Sequence, residues 1–77
     1  MTIKNIRENY DLPFLVRGMS VHVRHGADKW GWGIVVGATV NMLKVKLNDC
    51  LYAIDCYPRS NITYYDSTSG DIIAKFQ

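Results

Sequence analysis

The sequence predicts a small all-β barrel of five to six short antiparallel strands, with an N-terminal arm over residues 1–13 and the barrel over 14–77. Three observations point there. From residue 18 onward, apolar residues recur at every second position, the period of a half-buried strand. The strand-like runs are separated by a few residues each, mostly Gly, Asn, Asp, Ser or Pro, which favour turns. Finally, 77 residues make one domain. A domain of ~60 to 80 residues buries only ~60% of the surface its chain could expose, so one core is the ceiling. Curling the strands into a barrel removes most of the exposed edge.

The elements follow in order. Ile3, Ile6 and Tyr10 fall at near-helical spacing, so the arm is read as a short helix or a loose segment. Pro13 stops any helix there, because its ring fixes φ and disfavours a helical residue before it. Val21 and Val23 alternate with His22 and Arg24 as a first strand, ended by Gly26 and a loop through Ala27, Asp28 and Lys29. Residues 33–40 are rich in Val and Ile, with Gly37 marking a bulge or bend. Leu43, Val45 and Leu47 alternate with Lys44 and Lys46 in an amphipathic strand. Residues 51–57 place Tyr52, Ile54 and Cys56 on one face and Ala53, Asp55 and Tyr57 on the other. Pro58 ends that ladder, and 58–61 suits a single 3₁₀ turn. Residues 62–65 and 72–76 complete the set around a polar turn at 66–71.

Composition bounds the function classes. A 48% apolar and 21% charged chain is ordinary for a globular protein and excludes a disordered charged tail. No run of ~18 apolar residues suits a membrane span, and the charged first dozen residues do not form a signal peptide. The expectation is a soluble cytoplasmic protein. Cys50 and Cys56 on one extended strand would lie roughly 20 Å apart. Disulfide reach is about 7 Å between Cα atoms, so two free thiols are expected. The net charge of +2 is unevenly spread: residues 1–46 carry seven Lys/Arg against three acids, and 47–77 carry two against four. That asymmetry hints at a basic face.

Gly18, Val21-x-Val23, Gly26, Gly31 and Gly33-x-Val35 follow one another in an order that resembles the KOW motif of SH3-like small barrels. In such a motif the glycines permit tight loops and close backbone approach, and the valines fill the core. The match covers about twenty residues. The resemblance implies an SH3-like barrel that contacts nucleic acid or protein through basic and aromatic loop residues. Arg24, His25, Lys29, Trp30 and Trp32 fit those positions. Indole faces stack on bases and nearby cations neutralise phosphates. The loop also holds Asp28, and the chain lacks the dense Lys/Arg of ribosomal members, which keeps a protein partner open.

A more distant similarity is to the plasmid-type dihydrofolate reductases, short SH3-like barrels that tetramerise around a pore. Their Val-Gln-Ile-Tyr-Pro strand aligns with Ile54-Asp55-Cys56-Tyr57-Pro58. Asp55 in place of the family's Gln would set four carboxylates in a pore that must accept anionic ligands, which argues against that activity.

The other candidates have simple structural explanations. Trp30 and Trp32 are expected to divide, one ring on the core and one facing out. Tyr52, Tyr57, Tyr64 and Tyr65 could form a cage for a cation with a tryptophan, although core packing explains them more simply. His22, His25, Cys50 and Cys56 include zinc-ligand types, but their spacing does not suit one tetrahedral ion, and no cofactor or metal is expected. Asn61-Ile62-Thr63 matches a glycosylation sequon, accidental in a chain without a secretory signal. Lys44 and Lys46 would share a sheet surface with His22 and Arg24 if their strands pair on one side, giving a modest positive patch.

The reading is therefore a non-enzymatic accessory module that binds nucleic acid or docks on a nucleic-acid-handling machine. Its candidate contacts are Arg24, His25, Lys29, Trp30, Trp32, Lys44, Lys46, Tyr57 and Arg59. The alternative is a protein-binding inhibitor or adaptor, and a homodimer through residues 72–76 or the arm is plausible for so small a core.

Overall fold

The computed structural model describes residues 3–77. Helix α1 (Ile3–Asn9) precedes strands β1 (Ser20–Arg24), β2 (Trp30–Ala38), β3 (Leu43–Leu47), β4 (Ala53–Cys56), β5 (Ile62–Tyr65) and β6 (Ile72–Phe76). The strands form one antiparallel sheet in the order β4-β3-β2-β1-β5-β6. The all-β expectation therefore holds; five strands lie within two residues of the positions read from the alternation, and β2, expected over 33–40, begins three residues earlier. Closure does not follow: among the described residues no ladder joins β4 to β6, and the sheet is open with these two strands as its edges. β4 is only four residues long, and Pro58, two residues beyond it, has no N–H to extend a ladder.

Side-chain contacts anchor the segment that follows β4. The Tyr64 hydroxyl donates to the Pro58 carbonyl at 2.6 Å. Arg59 Nη1 donates to the Tyr10 carbonyl at 2.9 Å, and its guanidinium lies 4.8 Å from the centre of the Phe76 ring. The segment after β4 is thereby tied both to the end of α1 and to β6.

α1 is too short to persist alone, since isolated helices under ~12–15 residues are marginal in water. It is held by burying Ile3 and Ile6 against the core. Asp11 ends it with a positive φ of 54°, and the amides of Tyr10 and Leu12 close back on the carbonyls of Ile6 and Arg7. Arg7 Nε donates to the Leu15 carbonyl at 2.8 Å and the Tyr10 hydroxyl to the Asn41 carbonyl at 2.9 Å. The arm is thus a short helix that contributes to the core.

The core lies on one face of the sheet. Val21 and Val23 of β1, Val35 of β2, Leu43, Val45 and Leu47 of β3, Cys56 of β4, and Ile62 and Tyr64 of β5 bury there with Ile3, Ile6, Leu12, Leu15 and Met19. Tyr64 is fully buried, edge-on to Phe14 and Phe76 with ring centres at 5.1 and 6.1 Å. Burial pushes its phenol well above the usual range, and pushes the Cys56 thiol up to about 11. Gly33 of β2 faces β3 with no room for a side chain. A Cβ there would lie 2.8 Å from both the Lys46 carbonyl oxygen and Val45 Cγ1. The bulge expected at Gly37 is present as a register shift between Val35 and Gly37. The extra residue, Val36, reverses the alternation, so Ile34 and Val36 face out while Ala38 packs on the core.

Candidate functional site

The opposite face of the sheet is built by the alternate residues of the same strands. Register places them in rows: Lys75, Thr63, His22 and Trp32 lie side by side across β6, β5, β1 and β2. A neighbouring row runs Ile72, Tyr65, Ser20, Ile34, Lys46 and Ala53 from one edge to the other. Arg24 and Trp30 face each other beyond the first row.

Four rings interlock at the centre. His22 stacks near Trp30 at 5.4 Å between ring centres and touches Trp32 at 4.7 Å, and Trp32 meets Tyr65 at 4.8 Å. Trp30 and Trp32 remain 43% and 49% exposed, and Ile34 and Val36 continue the same exposed ridge along β2. The expectation that the two tryptophans divide between core and solvent is overturned. β2 begins at Trp30, so both indoles belong to a strand rather than a loop, and residues two apart in a strand share a face.

Beside the rings, His22, Trp30, Thr63, Tyr65, Ile72 and Lys75 line an open cleft of about 260 Å³. A second cleft of about 280 Å³ opens between Phe14, Val16, Met19, Ile73 and the 66–68 turn, with Tyr65 lining both. In that turn Asp66 accepts the amides of Thr68 and Ser69, which holds its carboxyl below the usual range.

The sequence-derived candidates separate into groups. Arg24, Trp30, Trp32, Lys44 and Lys46 share the outer face. Arg24 is anchored by donating to the carbonyls of Gly26 and Ala27. Lys44 is paired with Asp55 at 2.8 Å, and Lys46 Nζ donates to the Leu47 carbonyl. His25 and Lys29 lie in the β1–β2 loop, where the His25 amide donates to the Lys29 carbonyl. The His25 ring sits against Gly31, on the side of β2 away from the tryptophans. Tyr57 follows edge strand β4, separated from β2 by β3. Arg59 is engaged with Tyr10 and Phe76 on the core side. The tyrosines do not assemble a cage: Tyr64 faces the core, and only Tyr65 reaches a tryptophan.

Sequence reading did not select His22, Thr63, Tyr65, Ile72 or Lys75 as contacts. They join the site through the β1–β5 and β5–β6 pairings, which no local pattern reveals. Among the described residues that project outward from the strands, Arg24, Lys44, Lys46 and Lys75 are cationic and Asp55 alone is anionic. The only ion pairs among the described residues are Lys4–Glu8 and Lys44–Asp55, so Lys75 has no carboxylate partner. No helix of the described residues is long and apolar enough to cross a membrane. No protein-family model matches the chain, and no significant match is found among curated proteins or solved structures.

Proposed function

We propose that this chain is a non-enzymatic binding module that engages nucleic acid through the outer face of its sheet. One observation carries the reading: a connected cluster of four rings, His22, Trp30, Trp32 and Tyr65, is half-exposed on a face whose unpaired charges are all positive. Exposed indoles supply stacking surface, and Arg24, Lys46 and Lys75 around them suit phosphates. The strand order β4-β3-β2-β1-β5, with a short turn between β4 and β5, supports an SH3-like relationship. A cytoplasmic accessory role on a nucleic-acid-handling assembly fits the same face.

The test is binding of labelled DNA and RNA, single-stranded and duplex, over a salt series. Affinity is expected to fall steeply with salt and to be lost in Trp30→Ala/Trp32→Ala, while that variant still melts cooperatively. No retention of any nucleic acid at low salt overturns the reading.

A second reading, docking on a protein, is favoured by Ile34 and Val36. They extend the exposed ridge without offering charge or a ring. It predicts that Ile34→Ser abolishes capture of a protein partner and leaves nucleic-acid affinity unchanged.

A further inference from the structure

We infer that the cleft between Trp30, His22 and Tyr65 receives a single unpaired base, so that the module prefers single-stranded nucleic acid, with Lys75 holding an adjacent phosphate. This rests on the nucleic-acid reading above and adds which form is bound and by which residues.

Size and lining select the occupant. About 260 Å³ lies below the ~300–1,000 Å³ of drug-sized pockets, which suits one flat heterocycle rather than a larger ligand. Two walls are rings, from Trp30 with His22 and from Tyr65, so a planar guest meets π faces. Thr63 lies between them, beside His22 in the register and opposite Lys75. The guest therefore combines a flat ring with a nearby anion, which describes a nucleotide.

Placement selects the strandedness. The cleft opens within the face of the sheet, lined by residues of β1, β2, β5 and β6 and of the segment after β6. A base in a duplex has both faces stacked and its edges paired, so it reaches such a cleft only when it is unpaired. Trp30 and Trp32 stand about 6.7 Å apart along the strand. His22 bridges them at 5.4 and 4.7 Å, so the ledge continues past the cleft and offers the Trp32 ring to a second base of an extended strand.

Charge complementarity favours this guest over a second copy of the chain. Face-to-face association would bring Arg24, Lys46 and Lys75 of one copy against the same cations of the other, whereas a phosphate backbone neutralises them.

The experiment measures fluorescence anisotropy of labelled oligonucleotides of about 12 nucleotides, within the ~4–16 spanned by small single-strand binding folds. Single strands of DNA and RNA and the matching duplexes are compared across a salt series, with intrinsic tryptophan emission read in parallel. The expected result is tighter binding of single strands than of duplex, with quenching of tryptophan. Tyr65→Ala should weaken single-strand binding about 10-fold or more, and Tyr65→Phe should restore it. Lys75→Gln should lower the slope of log affinity against log salt by about 0.7. If Tyr65→Ala fails to fold, Lys75→Gln and the single-strand preference decide.

Duplex binding equal to or tighter than single-strand binding, or an unchanged salt slope in Lys75→Gln, overturns the inference and leaves the broader reading intact. Unaltered affinity in a folded Tyr65→Ala does the same. Absence of binding to every oligonucleotide at low salt overturns both.

Discussion

The two faces of this sheet are made by neighbouring residues of the same strands, yet they meet opposite demands. On the inner face, Val21, Val23, Val35 and Val45 are aliphatic and fully or almost fully buried, and Gly33 lets β2 and β3 approach. On the outer face, His22, Trp32, Tyr65 and Lys75 stand between or beside those positions, and the large rings remain half in water. Stability alone would place indoles inside, because their large apolar area is worth most when removed from water. That this chain of 77 residues keeps both tryptophans on the exposed side is what the proposed contact role of that face accounts for. The difference teaches that alternation partitions labour: odd positions of β1, and of β2 up to its bulge, hold the fold and even positions present the surface.

Substitutions that break the inner face should have the largest effects on stability. Gly33→Val would force a side chain into positions 2.8 Å from the Lys46 carbonyl and Val45, and no cooperative thermal transition is expected. Ile6→Ala empties a fully buried site under α1 and should lower stability by about 2–5 kcal/mol, readable as a fall in chemical-denaturation midpoint. Tyr64→Phe leaves the Pro58 carbonyl without its 2.6 Å donor beside the core, for a loss of about 1–3 kcal/mol.

The outer face sharpens the comparison through smaller effects. Trp32→Ala loses contacts with His22 and Tyr65 from a half-exposed position and should cost about 1 kcal/mol, a shift of ~4–8 °C in Tm for a domain of this size, while binding is lost. A titration distinguishes the faces as well. The Cys56 thiol moves from its ordinary 9.0 to about 11, so the folded state holds the proton more tightly than the unfolded chain does. Its contribution is full below pH 9.0 and is lost as pH rises through about 11, and Tyr64 acts in the same direction. Stability should therefore decline above pH 9.0, and Cys56→Ala should reduce that decline.

The fold was legible where pattern is local. Val21/Val23 and Leu43/Val45/Leu47 announce their strands by alternation, Gly37 its bulge and Pro58 the end of β4. Openness was not legible, because whether β4 and β6 meet depends on curvature accumulated over the whole sheet. Of the site, Trp30 and Trp32 stood out by residue type, and period two already implies that they share a face. The expectation that the two rings divide misapplied that period, because residues two apart in a strand lie on one side of the sheet. Tyr65 and Lys75 are 43 and 53 residues from His22 along the chain, and only the β1–β5–β6 register brings them to it. Arg59 illustrates the converse: a cation beside a turn looks like a surface contact, but its guanidinium is committed to the Tyr10 carbonyl and the Phe76 ring.

The chain has two tryptophans, and hence two indole N–H resonances, both on the outer face. Titrating isotopically labelled protein with a single-stranded oligonucleotide and following those two signals tests most directly whether that face is the contact surface. Both are expected to shift together and saturate at the same ratio, while amides of Val35 and Val45 on the core side stay in place. Binding that leaves both indole signals unmoved, or perturbs only α1 and the β1–β2 loop, would contradict it.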